Sequence, residues 1–450
     1  MLNDASRLNP TPVLRHLTLG GRGSTVLLET LRVELKAAAA EGRPVCASAA
    51  RHSMGGQSIP RDGLAVTLTG DQPEVDSATL TCRVSAGTRW SQVIRRLDPL
   101  GLSPAVMQSN HDFAVGSTFC VNAHGWPAPH GPFGSTVRSL RLLLVDGTLV
   151  TCSPAENAEL FGLAMGGYGL FGILIDLDIA VTPNLVLVPV VQRMEAGRFA
   201  QAFMEAVEGD PQTRMAYGRM SVARKSFFRD ALLTVYRPLD KQPATLPAAV
   251  SGGFLNTVSR DIYRAQIGNE TAKHARWLAE TRLNPALGSG IATRNSLMNE
   301  PVSNLANTDM RRTDILHEYF VPPERFDDFL EACRAIIPKA RAEFLNLTLR
   351  YVGADPVAVM AYAPSPRIAA VMSFSQEASP VGEVDMMQVT EQLIDRVVGL
   401  GGTFYLPYRL HARRDQIAAG YPRLAEFIAA KRRYDPGLLF RNAMWSTYFA

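Results

Sequence analysis

Three glycine-rich segments stand within the first 182 residues, each beside an apolar, strand-like run. The first, "ASAARHSMGGQS" (residues 47–58), follows the short apolar run "PVC". The second is "AVGSTFCVNAHGWPAPHGPFGS" (114–135), and the third is "GGYGLFGI" (166–173). Small residues let backbone N–H groups approach a bound group closely, and such concavities suit anions. One glycine cluster is ordinarily a turn. Three in one domain imply a long pocket lined by main chain, which fits an extended ligand with a diphosphate at its middle. The first segment is not GxGxxG, because Arg51 and His52 occupy the glycine positions, and no acidic residue is placed to hold a ribose. A Rossmann site is therefore disfavoured. GxxxxGK[ST] is absent, which disfavours a nucleoside triphosphatase.

A chain of 450 residues exceeds one ordinary core, so two or three domains are expected. A formal net charge of +4, with 20% charged residues, excludes a nucleic-acid groove as the main function. The clusters "RRLDP", "HARRD" and "KRRYDP" read as solvated helix faces. Five cysteines without CxxC spacing argue against a disulfide framework or thiolate zinc site and for a reducing compartment. The histidines show neither HxH nor HExxH, so no metal is expected. The N-terminus lacks the order of a signal peptide, and no apolar run is long enough to cross a bilayer. A cytoplasmic protein is expected, with peripheral membrane contact left open.

Alternation predicts strands at "LAVTLTG", "ATLTCRVSAG", "MAYGRMSVA", "DALLTVYRP", "ILHEYFV", "FLNLTLRYV", "IAAVMSFSQE" and "GGTFYLPYRLH". Asp146-Gly147 predicts a hairpin in "VRSLRLLLVDGTLVTC". A helix is expected to end at Gly42, and "RWSQVIRRL" is amphipathic, with Trp90, Val93, Ile94 and Leu97 on one face. "DIYRAQIGNETAKHARWLAETRL" and "YPRLAEFIAAKRRY" also look helical. The fold class is α+β with two domains: a nucleotide-binding unit over 1–182, a substrate unit with an antiparallel sheet over 183–412, and a C-terminal segment, 413–450, returning to the first unit. Residues 238–314 are loop-rich and suggest a flap.

The order of motifs resembles the FAD-binding domain of the vanillyl-alcohol oxidase / p-cresol methylhydroxylase (PCMH-type) superfamily. "GGTFYLPYRLHARRDQIAAGYPRLAEFIAAKRRYDPGLLFRN" is similar to the C-terminal part of its decaprenylphosphoryl-ribose and sugar-alcohol oxidases. The resemblance implies FAD as cofactor. It implies that Ala50, Arg51, His52, Ser53, Met54, Gly55 and Gln57 form a first phosphate loop. It further implies that Gly116, Ser117, Thr118, Asn122, Ala123, His124 and Gly125 form a second contact, that Gly172 and Ile173 meet the adenosine, and that Asn442 returns to the flavin unit. His52 matches the position at which some relatives bond the flavin ring methyl covalently, whereas the decaprenylphosphoryl-ribose branch binds FAD without that bond.

The function expected is hydride transfer from a CH–OH group of a small alcohol, polyol, sugar or lactone to flavin N5, with oxygen or another carrier as electron acceptor. The alternatives are a C=C reductase or amine oxidase on the same scaffold, or a flavin-binding subunit without turnover. Such an oxidation needs a polar group to take the O–H proton. The candidates are Glu318, Arg350, Tyr405, Tyr408 and His411, with Asn346 and Thr348 sharing a strand face with Arg350. Pro407 and Tyr408 stand where sugar-oxidising relatives have a lysine, so a phenol or imidazole beside Arg350 or Arg409 is the expected replacement. Read from the residues alone, His111, His124 and His130 are loop residues rather than bases, and Trp126 and Trp445 are packing residues.

Overall fold

A computed structural model describes residues 1–250, 263–283, 292–301 and 309–450. The described residues build three sheets, and helices cover them. In the first, Arg15–Leu19, Leu64–Leu68 and Val45–Ser48 pair in parallel, with Leu64–Leu68 in the middle. The helix Thr25–Ala40 makes the crossover; Ser24 caps its start, and Gly42 (φ +63°) turns the chain just past its end. Leu27, Leu31 and Leu35 are its buried stripe.

The second sheet is antiparallel around the long strand Ile173–Pro183, which pairs with Thr81–Ser85 and Val137–Leu143. The predicted hairpin is present, with Leu149–Cys152 beside Val137–Leu143. The helix Trp90–Leu97 buries the four residues of its predicted apolar face.

The third sheet has eight strands, and every pairing in it is antiparallel. Its order is Ala292–Thr293, Val186–Glu195, Asp230–Pro238, Met215–Met220, Glu343–Val352, Arg367–Glu377, Arg312–Val321, Thr403–Phe404. The helices Phe199–Glu208, Phe326–Ile336 and Pro380–Gly399 accompany it.

One expectation needs correction. "GGTFYLPYRLH" is a strand only at Thr403–Phe404. Pro407 has no N–H to give a ladder, and the carbonyls of Leu406, Pro407 and Tyr408 are taken by the first glycine-rich loop. The expected flap lies partly outside the described residues, at 251–262, 284–291 and 302–308. Its described parts include the helix Glu270–Leu278, continued by a π turn at Ala279–Leu283, and the helix Arg294–Met298.

The C-terminal segment packs on the first sheet. The Val45 N–H donates to Leu439 O (2.8 Å), and the Asn442 amide donates to Gln57 O (2.9 Å) and Tyr168 O (3.2 Å).

Candidate active site

The first glycine-rich loop begins where the strand Val45–Ser48 ends. Arg51 adopts a left-handed conformation (φ +52°). Among the described residues, the backbone N–H groups of Ala50, Arg51, His52 and Ser53 have no acceptor in the chain. Four successive free donors at a strand end form an anion cradle. The loop's far end is clamped. Met54 N–H donates to Pro407 O, and the Gln57 amide donates to Leu406 O and Tyr408 O, each at 2.8 Å. A Cβ on Gly55 would lie 2.6 Å from Tyr408 O, so glycine is required there.

The second segment opens with the short helix Val115–Cys120. Gly116 lets it touch Ala86, whose Cβ would stand 2.6 Å from a side chain at 116. The Ser117 N–H has no chain acceptor among the described residues. Several side chains in this segment serve the protein itself. Thr118 Oγ1 accepts from Trp90 Nε1 (2.9 Å). Asn122 donates to Asp355 (2.7 Å) and accepts from Gly134 N–H (2.9 Å). Gly125 sits against Met107 O, and Gly172 against Leu143 O. Ala123 and Ile173 are buried. The free backbone donors and the close approaches secured by glycine fit a dinucleotide phosphate, the ligand expected from the sequence.

His52 packs on Phe113, with ring centroids 4.5 Å apart. Burial, then the neighbouring Arg89 cation, lower its pKa and favour the neutral imidazole.

His124 turns away from this cradle toward the third sheet. It is buried, and its Nε2 meets Glu318 Oε1. Glu318 Oε2 accepts from the Tyr408 hydroxyl (3.1 Å). Glu318 is thus a buried carboxylate with one donor on each oxygen. With Nε2–H given to Glu318, the His124 Nδ1 presents its lone pair, and no group among the described residues meets it. Burial, then Glu318, push the Tyr408 phenol well above its ordinary pKa, so it stays a donor. Tyr405 is buried and donates to Val121 O (2.8 Å).

Arg350 reaches the same cluster. Register pairs Glu318 with Val371, Val371 with Thr348 and Thr348 with Arg219, so all four share one face of the sheet. Arg350 lies two residues beyond Thr348 on that face. Its guanidinium carbon lies 5.9 Å from the Trp126 ring centroid. Burial brings its pKa down to about 10, against the opposing pull of Glu318 and Tyr408.

His411 and Arg409 do not join this cluster, contrary to the sequence grouping. His411 Nε2 bonds Glu383 (2.8 Å), and its ring stacks on His317, which points to the other side of the sheet from Glu318. Arg409 pairs with Glu383 and donates to Met54 O (2.9 Å). The Tyr405–His411 stretch leaves the sheet after Phe404, so closeness in sequence to Tyr408 does not bring Arg409 and His411 to its side. Sequence reasoning also missed His124 as a candidate base. Its motif points to the cofactor, and only the fold brings Glu318 to its Nε2.

The family model "FAD binding domain" matches residues 28–153. The chain is 23% identical over 448 residues to decaprenylphosphoryl-β-D-ribose oxidase of Mycolicibacterium smegmatis, covering 92% of this chain and 91% of that protein. It is 31% identical over 137 residues to cytokinin dehydrogenase 3 of Oryza sativa subsp. japonica, covering 29% of this chain and 26% of that one. A match to cytokinin dehydrogenase 1 of Arabidopsis thaliana, 31% identical over 144 residues, spans 29% and 24% of the two chains. A long match to one oxidase and shorter matches to dehydrogenases coincide with a cradle of free main-chain donors. On these grounds the chain belongs to the PCMH-type superfamily of FAD-dependent oxidoreductases.

Proposed function

We propose that the protein oxidises the CH–OH group of a small alcohol, polyol, sugar or lactone. In this reading residues 1–182 hold FAD, 183–412 supply the substrate side, and 413–450 brace the cofactor loop. The backbone of Ala50 to Ser53 and of Ser117 would hold the diphosphate, and Gly172 and Ile173 would face the adenosine. FAD, when bound, supplies the two-electron acceptor for the hydride of the CH–OH carbon. His124 Nδ1 takes the hydroxyl proton. Glu318 fixes the tautomer and orientation of His124, and Tyr408 completes the hydrogen bonding of Glu318. Five unpaired cysteines support a reducing compartment, and no helix among the described residues is long and apolar enough to cross a membrane.

The observation that carries this reading is a buried His124 whose Nε2 is held by a carboxylate and whose Nδ1 has no partner among the described residues. An alcohol oxidation requires such a proton acceptor; neutral histidine is suited to it near pH 7. The test is anaerobic mixing of the yellow holoenzyme with a panel of alcohols, polyols, sugars, lactones and amines. Bleaching of the visible flavin band by a hydroxylated compound, greatly slowed in His124→Ala, is expected. Bleaching by amines alone would overturn the proposal. In the same reading His52 is the site of a covalent flavin bond. Colour retained in an acid-precipitated pellet supports that bond, and colour released to the supernatant excludes it.

A further inference from the structure

The sheet face that carries Glu318 holds more positive than negative groups. Arg219 Nη2 lies 3.0 Å from Glu280 Oε1, and Arg276 Nε lies 2.7 Å from the same oxygen. Two guanidiniums thus share one carboxylate. The third arginine, Arg350, is 9% exposed. None of its N–H groups meets an acceptor among the described residues, and its Nε is shut off from solvent as well. The nearest acid, Glu318, is already engaged by His124 and Tyr408. A buried guanidinium normally finds a paired acceptor, because leaving it unpaired is costly. Beside it lies an apolar wall: Trp126 under the cation, and Tyr217 4.9 Å from Trp126 between ring centroids.

We propose that Arg350 is the specificity residue of this site and that its substrate is a hydroxy acid, an alcohol or sugar carrying one carboxylate. The carboxylate takes the open fork of Arg350, and the carbon skeleton lies along Trp126 and Tyr217. This rests on the CH–OH reading above. Guanidinium and carboxylate match as planar, two-point partners, which a lysine would not provide. A phosphate monoester is the poorer fit, since its second negative charge finds no second open cation among the described residues of this face: Arg219 and Arg276 are already held by Glu280.

The test uses the FAD-loaded protein. Cyclohexanecarboxylate, cyclohexanemethanol and cyclohexyl phosphate are titrated in turn while the visible flavin band is followed. Gluconate against glucitol, and glycerate against glycerol, are then compared as reductants. The carboxylate is expected to bind about tenfold or more tighter than the alcohol or the phosphate. Arg350→Gln is expected to erase that preference, and Arg350→Lys to retain part of it. Equal binding of acid and alcohol, preference for the phosphate, or equal weakening of both ligands in Arg350→Gln would overturn the proposal. So would a tenfold change in the flavin's sulfite affinity in Arg350→Gln with carboxylate binding unchanged, which would make Arg350 a partner of the flavin. Should Arg350→Gln not fold, the Arg350→Lys titration decides. Carboxylate binding without reduction by any acid or alcohol removes the CH–OH reading and with it the hydroxy-acid substrate. Reduction by neutral polyols only removes the hydroxy acid and leaves CH–OH oxidation standing.

Discussion

His124 carries two opposite assignments: its motif points to the cofactor, and its ring, held by Glu318, is the proposed proton acceptor. The difference arises at one residue. Ala123 follows the main-chain turn at Asn122 (φ +47°), and the next side chain is then directed at the strand Arg312–Val321, where Glu318 waits. Removing the imidazole by His124→Ala should slow anaerobic flavin reduction by about 10²–10⁴-fold, the usual contribution of a positioned base. The protein should remain yellow, since the cradle donors are main-chain groups. Glu318→Gln keeps the shape but loses the acceptor charge. We expect a smaller loss in the same stopped-flow measurement, about 10–100-fold, as for groups that orient a histidine through its second nitrogen. Burial and charge made Glu318 and Arg350 visible as candidates on strands of clear alternation. The role of His124 was hidden because its partner is 194 residues away in sequence.

Among the elements, the first glycine-rich loop and the Leu406–Arg409 turn behave as one clamp. Gln57 and Met54 meet three successive carbonyls of the turn, Gly55 donates to Gln57, and Arg409 returns to Met54 O. Gly55→Ala forces a Cβ against Tyr408 O, and Gly116→Ala forces one against Ala86. Either variant should purify with sub-stoichiometric FAD, read from the ratio of visible to ultraviolet absorbance. Glu383 anchors the same clamp through Arg409 and His411. Although burial alone would raise its pKa, the His411 hydrogen bond and the Arg409 charge bring it down to about 2. A carboxylate whose folded pKa is depressed adds stability above its unfolded value, about 4.3, and loses it as pH falls toward the folded value. The melting temperature should therefore fall between about pH 4.5 and 2, and Glu383→Gln should flatten that limb. The elements themselves were legible wherever periodicity was strong, as in Trp90–Leu97 and Glu343–Val352. The clamp was not, because a proline-containing turn has no period and its partners are distant.

Across the whole molecule, the chain closes on itself at its C-terminal end. Lys431, fully buried, donates to Leu170 O (2.6 Å) within the third glycine-rich segment and pairs with Asp435. Asp435 also receives the N–H groups of Leu439 and Phe440, both at 2.8 Å, which sets the tail against Val45. Lys431→Met would leave that carboxylate buried with its charge unpaired, and should cost about 3–5 kcal/mol in a denaturation experiment. The α+β class, FAD as the cofactor and the superfamily could be read from residue order alone. Those properties rest on local chemistry: small residues where backbone must come close, alternation where one face is buried, a turn pair between strands. The proposed reaction centre depended on tertiary structure. It assembles a loop histidine, a carboxylate from one strand, an arginine from another and a tyrosine from a turn, and no local pattern records which distant side chains a fold brings within a hydrogen bond.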